Sequence, residues 1–236
     1  MALILLVGPA MSLPVLHRYP DRDTCAAELA QVLVSRLAAR RSAGLARLLL
    51  PGGQTPQLLL QNLARLDLDW TQVEVSPSDE RWVAADDPAS NLLLLRRALP
   101  QALLIDPRQG ATPQLAAQGW GKSLRARLPL TAVLLGMGED GHFASLFPGM
   151  PGLAAALAAE AVPTALVGEA PVEPRLRLTP NLALLLRSDW LGLLVFGEAK
   201  RALLEAVLAD RPATRHLPVH ALLQQAGNRL QIHWAP

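Results

Sequence analysis

The feature that most constrains this chain is a set of short apolar runs that end near glycine or proline and alternate with segments of helical period. ARLLL (46–50) stops at Pro51-Gly52-Gly53, VEVS (73–76) leads into Asp79-Glu80-Arg81, TAVLLG (131–136) enters a glycine-rich stretch, and LGLLVF (191–196) meets Gly197. Runs of this kind suit strands covered on both faces, with the intervening helices as the cover. Residues 24–41 space their apolar positions as an amphipathic helix, with Asp23 or Thr24 as N-cap. Further helices are expected from about Pro56 to Ala64 with Thr55 at the cap, and over 91–98, 113–127, 180–188 and 198–209. LLID (103–106), AVPTAL (161–166), RLRL (175–178) and NRLQIHWA (228–235) complete the strands, the last at a sheet edge. The expected fold class is therefore α/β, a Rossmann-like three-layer αβα sandwich around a mostly parallel sheet.

No internal repeat and no Ser/Gly linker divides the 236 residues, so one domain is expected, with its packed part over 11–236. The start, MALILLVGPAMSL, has no basic segment before its apolar run, and the run is too short to span a bilayer. Residues 1–10 are expected to be a loosely held extension, and no membrane partner is expected. A formal net charge of +2 provides no basic stripe for phosphate backbones, which argues against nucleic acid as a partner. A single cysteine, Cys25, excludes an intrachain disulfide and a Cys-based zinc cluster and fits a cytoplasmic location. Monomer and weak homodimer both remain open.

Four stretches could carry chemistry. In PGGQTP (51–56), Gly52, Gly53, Gln54 and Thr55 form a strand-to-helix turn whose backbone N–H groups could cradle an anion. An ordinary turn with a Thr cap fits the hexapeptide equally well. In SDERW (78–82), Arg81 could pair with a phosphate and Asp79 with a sugar hydroxyl, at the strand end where open α/β sheets bind ligands. A solvated charge cluster is the competing reading. Lys200, in the first turn of a helix, works against the helix dipole unless an anion lies nearby, though a surface lysine explains it as well.

The most informative stretch is GMGEDGHFASLFPG (136–149). It contains G-x-G-x-x-G after a strand, but Pro148-Gly149 leaves no room for the long helix of a dinucleotide turn. Nor is there an acid at the end of the next strand, because Glu160 precedes it. What the stretch offers is His142 on a glycine-rich loop with Asp140 two residues before it. An imidazole can exchange a proton with water near neutrality, and Asp140 could orient it or a substrate hydroxyl. GWGKS (119–123) lacks the first P-loop glycine, since position 116 is Ala116. The chain has no HExxH, CxxC or GxSxG, and His17, His216, His220 and His233 are scattered.

In order, LPGGQTP, SDERWV with Ser90-Asn91, LLGMGEDGHFASLFPG, PRLRLT and GEAK resemble the glucosamine-6-phosphate isomerase/6-phosphogluconolactonase family, and within it the lactonases. The likeness runs from about residue 15 to the C-terminal tryptophan-containing strand, and the GxDGHxASLFPG block is its most specific part. It implies a Rossmann-like fold shared with glucosamine-6-phosphate deaminases, ribose-5-phosphate isomerases and CoA transferases. It also implies hydrolysis of 6-phospho-glucono-1,5-lactone to 6-phosphogluconate in the oxidative pentose phosphate pathway, with no metal and no cofactor. By the resemblance, His142 activates water, the phosphate lies on Gly52–Thr55 with Arg81 and Lys200, and Asp79, Asn91 and Asp140 shape the sugar pocket.

The chain departs from the family pattern at Pro51 and Gln54, where Ser-Gly-Gly-Ser-Thr-Pro is usual, and at Arg177, where Thr or Ser is usual. Gln54 lacks one hydroxyl that could meet a phosphate, although the backbone donors remain. Neither change touches the His142 loop, so activity is expected. A deaminase or isomerase is the alternative within the family, but deaminases carry a carboxylate near the position that Phe147 occupies here. A sugar-phosphate sensor fused to a DNA-binding module is a third reading, disfavoured by the balanced charge and by the lack of a spare helix-turn-helix.

Overall fold

The computed structural model describes residues 13–40 and 44–236, so the expectations for residues 1–10 and for a start at Met11 lie outside the described residues. The first strand is β1 (Val15–Arg18), a segment with no strand expectation. Helix α1 (Arg22–Arg40) buries Cys25, Ala26, Leu29, Ala30, Leu33 and Leu37, the apolar stripe its spacing predicts. Its cap is Asp21 rather than Asp23 or Thr24: Asp21 Oδ1 accepts from Thr24 N at 2.7 Å.

Strand β2 (Ala46–Leu50) leads through the glycine turn to α2 (Gln57–Leu63), and β3 (Val73–Pro77) is followed by the two-residue β4 (Glu80–Arg81). Thr55 does not cap α2; Pro56 occupies that place, with no side-chain cap bond. Helix α3 (Asn91–Ala98), capped by Ser90, precedes the short β5 (Leu103–Leu104), α4 (Pro113–Arg125) and β6 (Ala132–Gly136). After the glycine-rich loop come α5 (Leu153–Ala156), β7 (Ala165–Glu169), β8 (Leu176–Pro180), α6 (Leu182–Leu185) and β9 (Leu191–Phe196). Then α7 (Glu198–Leu208) and α8 (Pro218–Ala226) precede β10 (Leu230–Ala235).

Seven strands form one sheet in the order β1-β10-β9-β6-β2-β3-β5, and every pairing in it is parallel. Side chains alternate across it. Leu49, Val133, Leu135, Leu193, Val195 and Ile232 pack with α4, α6, α7 and α8. Leu48, Leu50, Ala132, Leu134, Leu194 and Ala235 pack with α1, α2 and α3. This is the expected three-layer arrangement. Two expectations are corrected by the topology. Strand β10 is not an edge, because β1 adds to its far side with His17 opposite His233. Strands β7 and β8 are not in the main sheet but pair antiparallel with β4 in a separate three-stranded sheet.

The strand order fixes where a ligand can lie. From β2 the chain moves outward through β3 to β5, and from β6 it moves the other way through β9 to β10. The neighbours β2 and β6 therefore mark the switch point, where loops diverge at the carboxyl ends of the strands and leave a crevice.

Candidate active site

The loops after β2, β3, β6 and β9 enclose a cleft of about 320 Å³ at this switch point. Gly52, Gly53, Gln54, Thr55, Asp79, Arg81, Asn91, His142 and Lys200 all line it, and Asp140 stands behind His142. Residues more than 140 positions apart in the sequence thus meet because parallel strands end together.

His142 is held on its loop by short-range contacts. Its Nδ1 lies 2.6 Å from Asp140 Oδ1, which also accepts from the His142 backbone N at 3.2 Å. Burial raises the Asp140 carboxyl, but the hydrogen bond and charge of the imidazole outweigh it and hold the group below its ordinary range. An ionised carboxylate only accepts, so Asp140 assigns the Nδ1 proton and leaves Nε2 able to take one. The Phe147 ring packs against the imidazole, with centroids 4.3 Å apart. Gly138 is required here: a Cβ at this position would overlap the His142 ring, and Gly138 N donates to His142 O at 2.9 Å. Ala144, two residues on, adopts φ 48°, a left-handed conformation that non-glycine residues rarely take.

The opposite wall is organised by Glu80. Its buried carboxylate accepts from the backbone N of Arg81 (2.8 Å), Asn91 (2.8 Å) and Leu92 (2.7 Å) and from Ser90 Oγ (3.1 Å). Burial pushes this carboxyl up, and the three N–H donors and the Arg108 charge pull it part of the way back. The result ties the strand end to the first turn of α3. Asn91 then bridges two site residues: its Nδ2 donates to Asp79 O at 2.7 Å, and its Oδ1 accepts from Arg81 Nη1 at 2.8 Å. A Cβ on Gly52 would collide with that Asn91 carboxamide, so the turn after β2 seats directly on the Asn91–Arg81 pair. Asp79 Oδ2 accepts from Ser145 Oγ at 2.5 Å and so joins this wall to the His142 loop.

Lys200 reaches the cleft from the first turn of α7. Burial lowers its ammonium below the usual lysine range, with Glu139 and Asp140 opposing that shift and Arg22 adding to it. Three contributors had no place among the sequence-derived site residues. The sequence marks Glu80 only as one of two carboxylates beside a strand, Ser145 only as part of a motif, and Arg177 only as a departure from the pattern. The side chain of Arg177 lines the same cleft. Only the pairing of β4 with β8, which neither periodicity nor motif spacing reveals, brings it there.

Among the described residues no cluster of His, Cys, Asp or Glu could hold a metal ion, and no helix is long and apolar enough to cross a membrane. A cleft that joins cations, a glycine turn and an oriented imidazole suits an α/β enzyme with a small anionic ligand.

The family described as glucosamine-6-phosphate isomerases/6-phosphogluconolactonase matches residues 20–234, and the chain belongs to it. Among curated proteins it is 37% identical to a 6-phosphogluconolactonase of Pseudomonas putida, over 93% of this chain and 92% of that one. It is 38% identical to a 6-phosphogluconolactonase of Pseudomonas aeruginosa, over 89% and 92%. A crystal structure of a 6-phosphogluconolactonase from Shewanella baltica superposes with a TM-score of 0.82 at 29% identity, covering 96% of this chain and all of that one (100%).

Proposed function

We propose that this chain hydrolyses 6-phospho-D-glucono-1,5-lactone to 6-phospho-D-gluconate, the second step of the oxidative pentose phosphate pathway, with His142 as the base that activates water. The observation that carries the mechanism is the 2.6 Å contact between Asp140 Oδ1 and His142 Nδ1, which leaves Nε2 as the proton acceptor on the cleft wall. The names of the curated relatives support the substrate.

In this reading Nε2 takes a proton from water as its oxygen adds to the lactone carbonyl carbon. The tetrahedral intermediate collapses with cleavage of the bond to the ring oxygen, and the imidazolium returns the proton to that oxygen. The products are a carboxylic acid, which ionises, and a free hydroxyl. The lactone carbonyl is already an activated electrophile, so no metal or cofactor enters the scheme. The phosphate lies on the Gly52–Thr55 turn with Arg81 and Lys200, while Asp79 and Asn91 face the sugar. Phe147 beside His142 disfavours a deaminase, which would need a carboxylate there for ring opening.

A coupled assay with freshly prepared 6-phosphogluconolactone, run beside one with glucosamine 6-phosphate, tests the reading. Lactone hydrolysis above the spontaneous rate, without deamination, is the expected result. Deamination without lactonase activity would overturn it.

A further inference from the structure

Arg81 on β4 and Arg177 on β8 are directly opposed across an antiparallel pair. Residues so paired project from the same face, and both line the cleft. Like charges at such a position repel each other, which destabilises the pair unless something neutralises them. The charges of Asp79, Glu80 and Glu173 offset this only in part at Arg177. Arg81 Nη1 donates to Ala89 O (2.6 Å) and Asn91 Oδ1 (2.8 Å), both neutral acceptors. Arg177 is only 7% exposed, and the Nε atoms of both arginines are buried with no hydrogen-bond partner.

The nearby carboxylates are committed elsewhere. Asp79 accepts from Ser145 Oγ, Glu80 from three backbone N–H groups, and Glu173 from Arg175 N at 3.0 Å. Burial and then the neighbouring Arg81 charge lower the affinity of the Arg177 guanidinium for its proton, with Asp79, Glu80 and Glu173 opposing. A buried guanidinium held against a second one, without an acceptor, is costly in the empty cleft. An anion bound in the cleft beside both residues would supply acceptors to their guanidinium groups and cancel the repulsion.

We propose that Arg177 is a substrate-binding residue which, with Arg81, forms a two-guanidinium receptor for the phosphate group of the lactone. The proposal rests on the sugar-phosphate reading of the cleft. On that substrate only the phosphate monoester is charged, at about −2 near neutrality, which matches two cations. The location agrees, because Arg81 is bonded to the same Asn91 carboxamide that underlies the Gly52 turn. Arg177 therefore extends the anion site onto the small antiparallel sheet.

Arg177→Met, which keeps length and loses charge, and Arg177→Lys, which keeps charge and loses the fork, are compared with the unaltered protein. The readouts are calorimetric binding of inorganic phosphate and steady-state hydrolysis of 6-phosphogluconolactone. Arg177→Met is expected to weaken phosphate binding and raise KM by about tenfold or more, with kcat within about threefold. Arg177→Lys should fall between the two. Without phosphate, the thermal midpoint of Arg177→Met should equal or exceed that of the unaltered protein, because the repulsion is gone. Unchanged phosphate affinity and KM in Arg177→Met would overturn the proposal. So would a lowered midpoint with unchanged affinity, since that marks a purely structural arginine. Loss of phosphate binding in a chain that hydrolyses no lactone would count against the lactonase reading alone.

Discussion

Asp140 Oδ1 lies 2.6 Å from His142 Nδ1 and also accepts from the His142 backbone N at 3.2 Å, so one carboxylate oxygen fixes both the ring and the loop that carries it. The imidazole is thereby set in one tautomer and one orientation before any substrate arrives. That preorganisation is what a general base requires.

Asp140→Asn is expected to lower kcat by on the order of 10- to 100-fold with little change in KM, because an amide can present its N–H to Nδ1 and stabilise the wrong tautomer. Steady-state rates corrected for spontaneous lactone hydrolysis provide the check. A kcat equal to that of the unaltered enzyme would remove Asp140 from the mechanism.

Arg81→Ala should raise KM by about tenfold or more and lower kcat less, since the phosphate is remote from the carbonyl and is held alike in ground and transition states. Saturation curves of the two proteins are the measurement. An unchanged KM would place the phosphate away from Arg81.

Glu80→Ala should destabilise the fold by about 2–4 kcal/mol, because it strands two buried backbone N–H donors at the start of α3 and a part-buried one at Arg81. Urea unfolding measures the loss. A change below about 0.5 kcal/mol, the scale of ordinary surface substitutions, would show that other acceptors replace this carboxylate.

His233, 2% exposed and stacked on His17 with centroids 4.7 Å apart, bonds Tyr19 Oη through Nδ1 at 2.8 Å. Burial and then the His17 charge lower its pKa from 6.5 to about 3. Between those values the unfolded chain holds a proton there that the native state does not, so stability rises with pH and is lost as pH falls from 6.5 towards about 3. The contribution reaches at most about 1.4 kcal/mol per pH unit. Unfolding free energies measured at pH 7 and pH 5 for the unaltered protein and His233→Phe should differ in slope, with the variant flatter. Parallel slopes would mean that His233 is protonated in the folded chain.

The parts of this site that were legible in the sequence share one property: each is local. The GEDGH segment carries its own imidazole and the carboxylate bonded to it, and the PGGQTP turn carries its own conformational freedom. The buried apolar runs gave the parallel sheet for the same reason, since their pattern needs only consecutive residues. What was not legible depends on pairing between distant segments. The placement of Arg177 opposite Arg81, the interior position of β10 and the removal of β7 and β8 to a second sheet are all choices of strand partner. The Thr55 cap failed for another reason: the glycine turn continues through Gln54 and Thr55, so the first helical residues come later than the Pro56 signal suggests.

The most direct test of the account is lactone hydrolysis by His142→Ala, corrected for the spontaneous reaction, with folding verified by an unchanged thermal midpoint. The account predicts a fall in kcat of about 10²-fold or more with KM nearly unchanged, the usual scale for removal of a general base. Turnover close to that of the unaltered enzyme in a folded His142→Ala protein would contradict it.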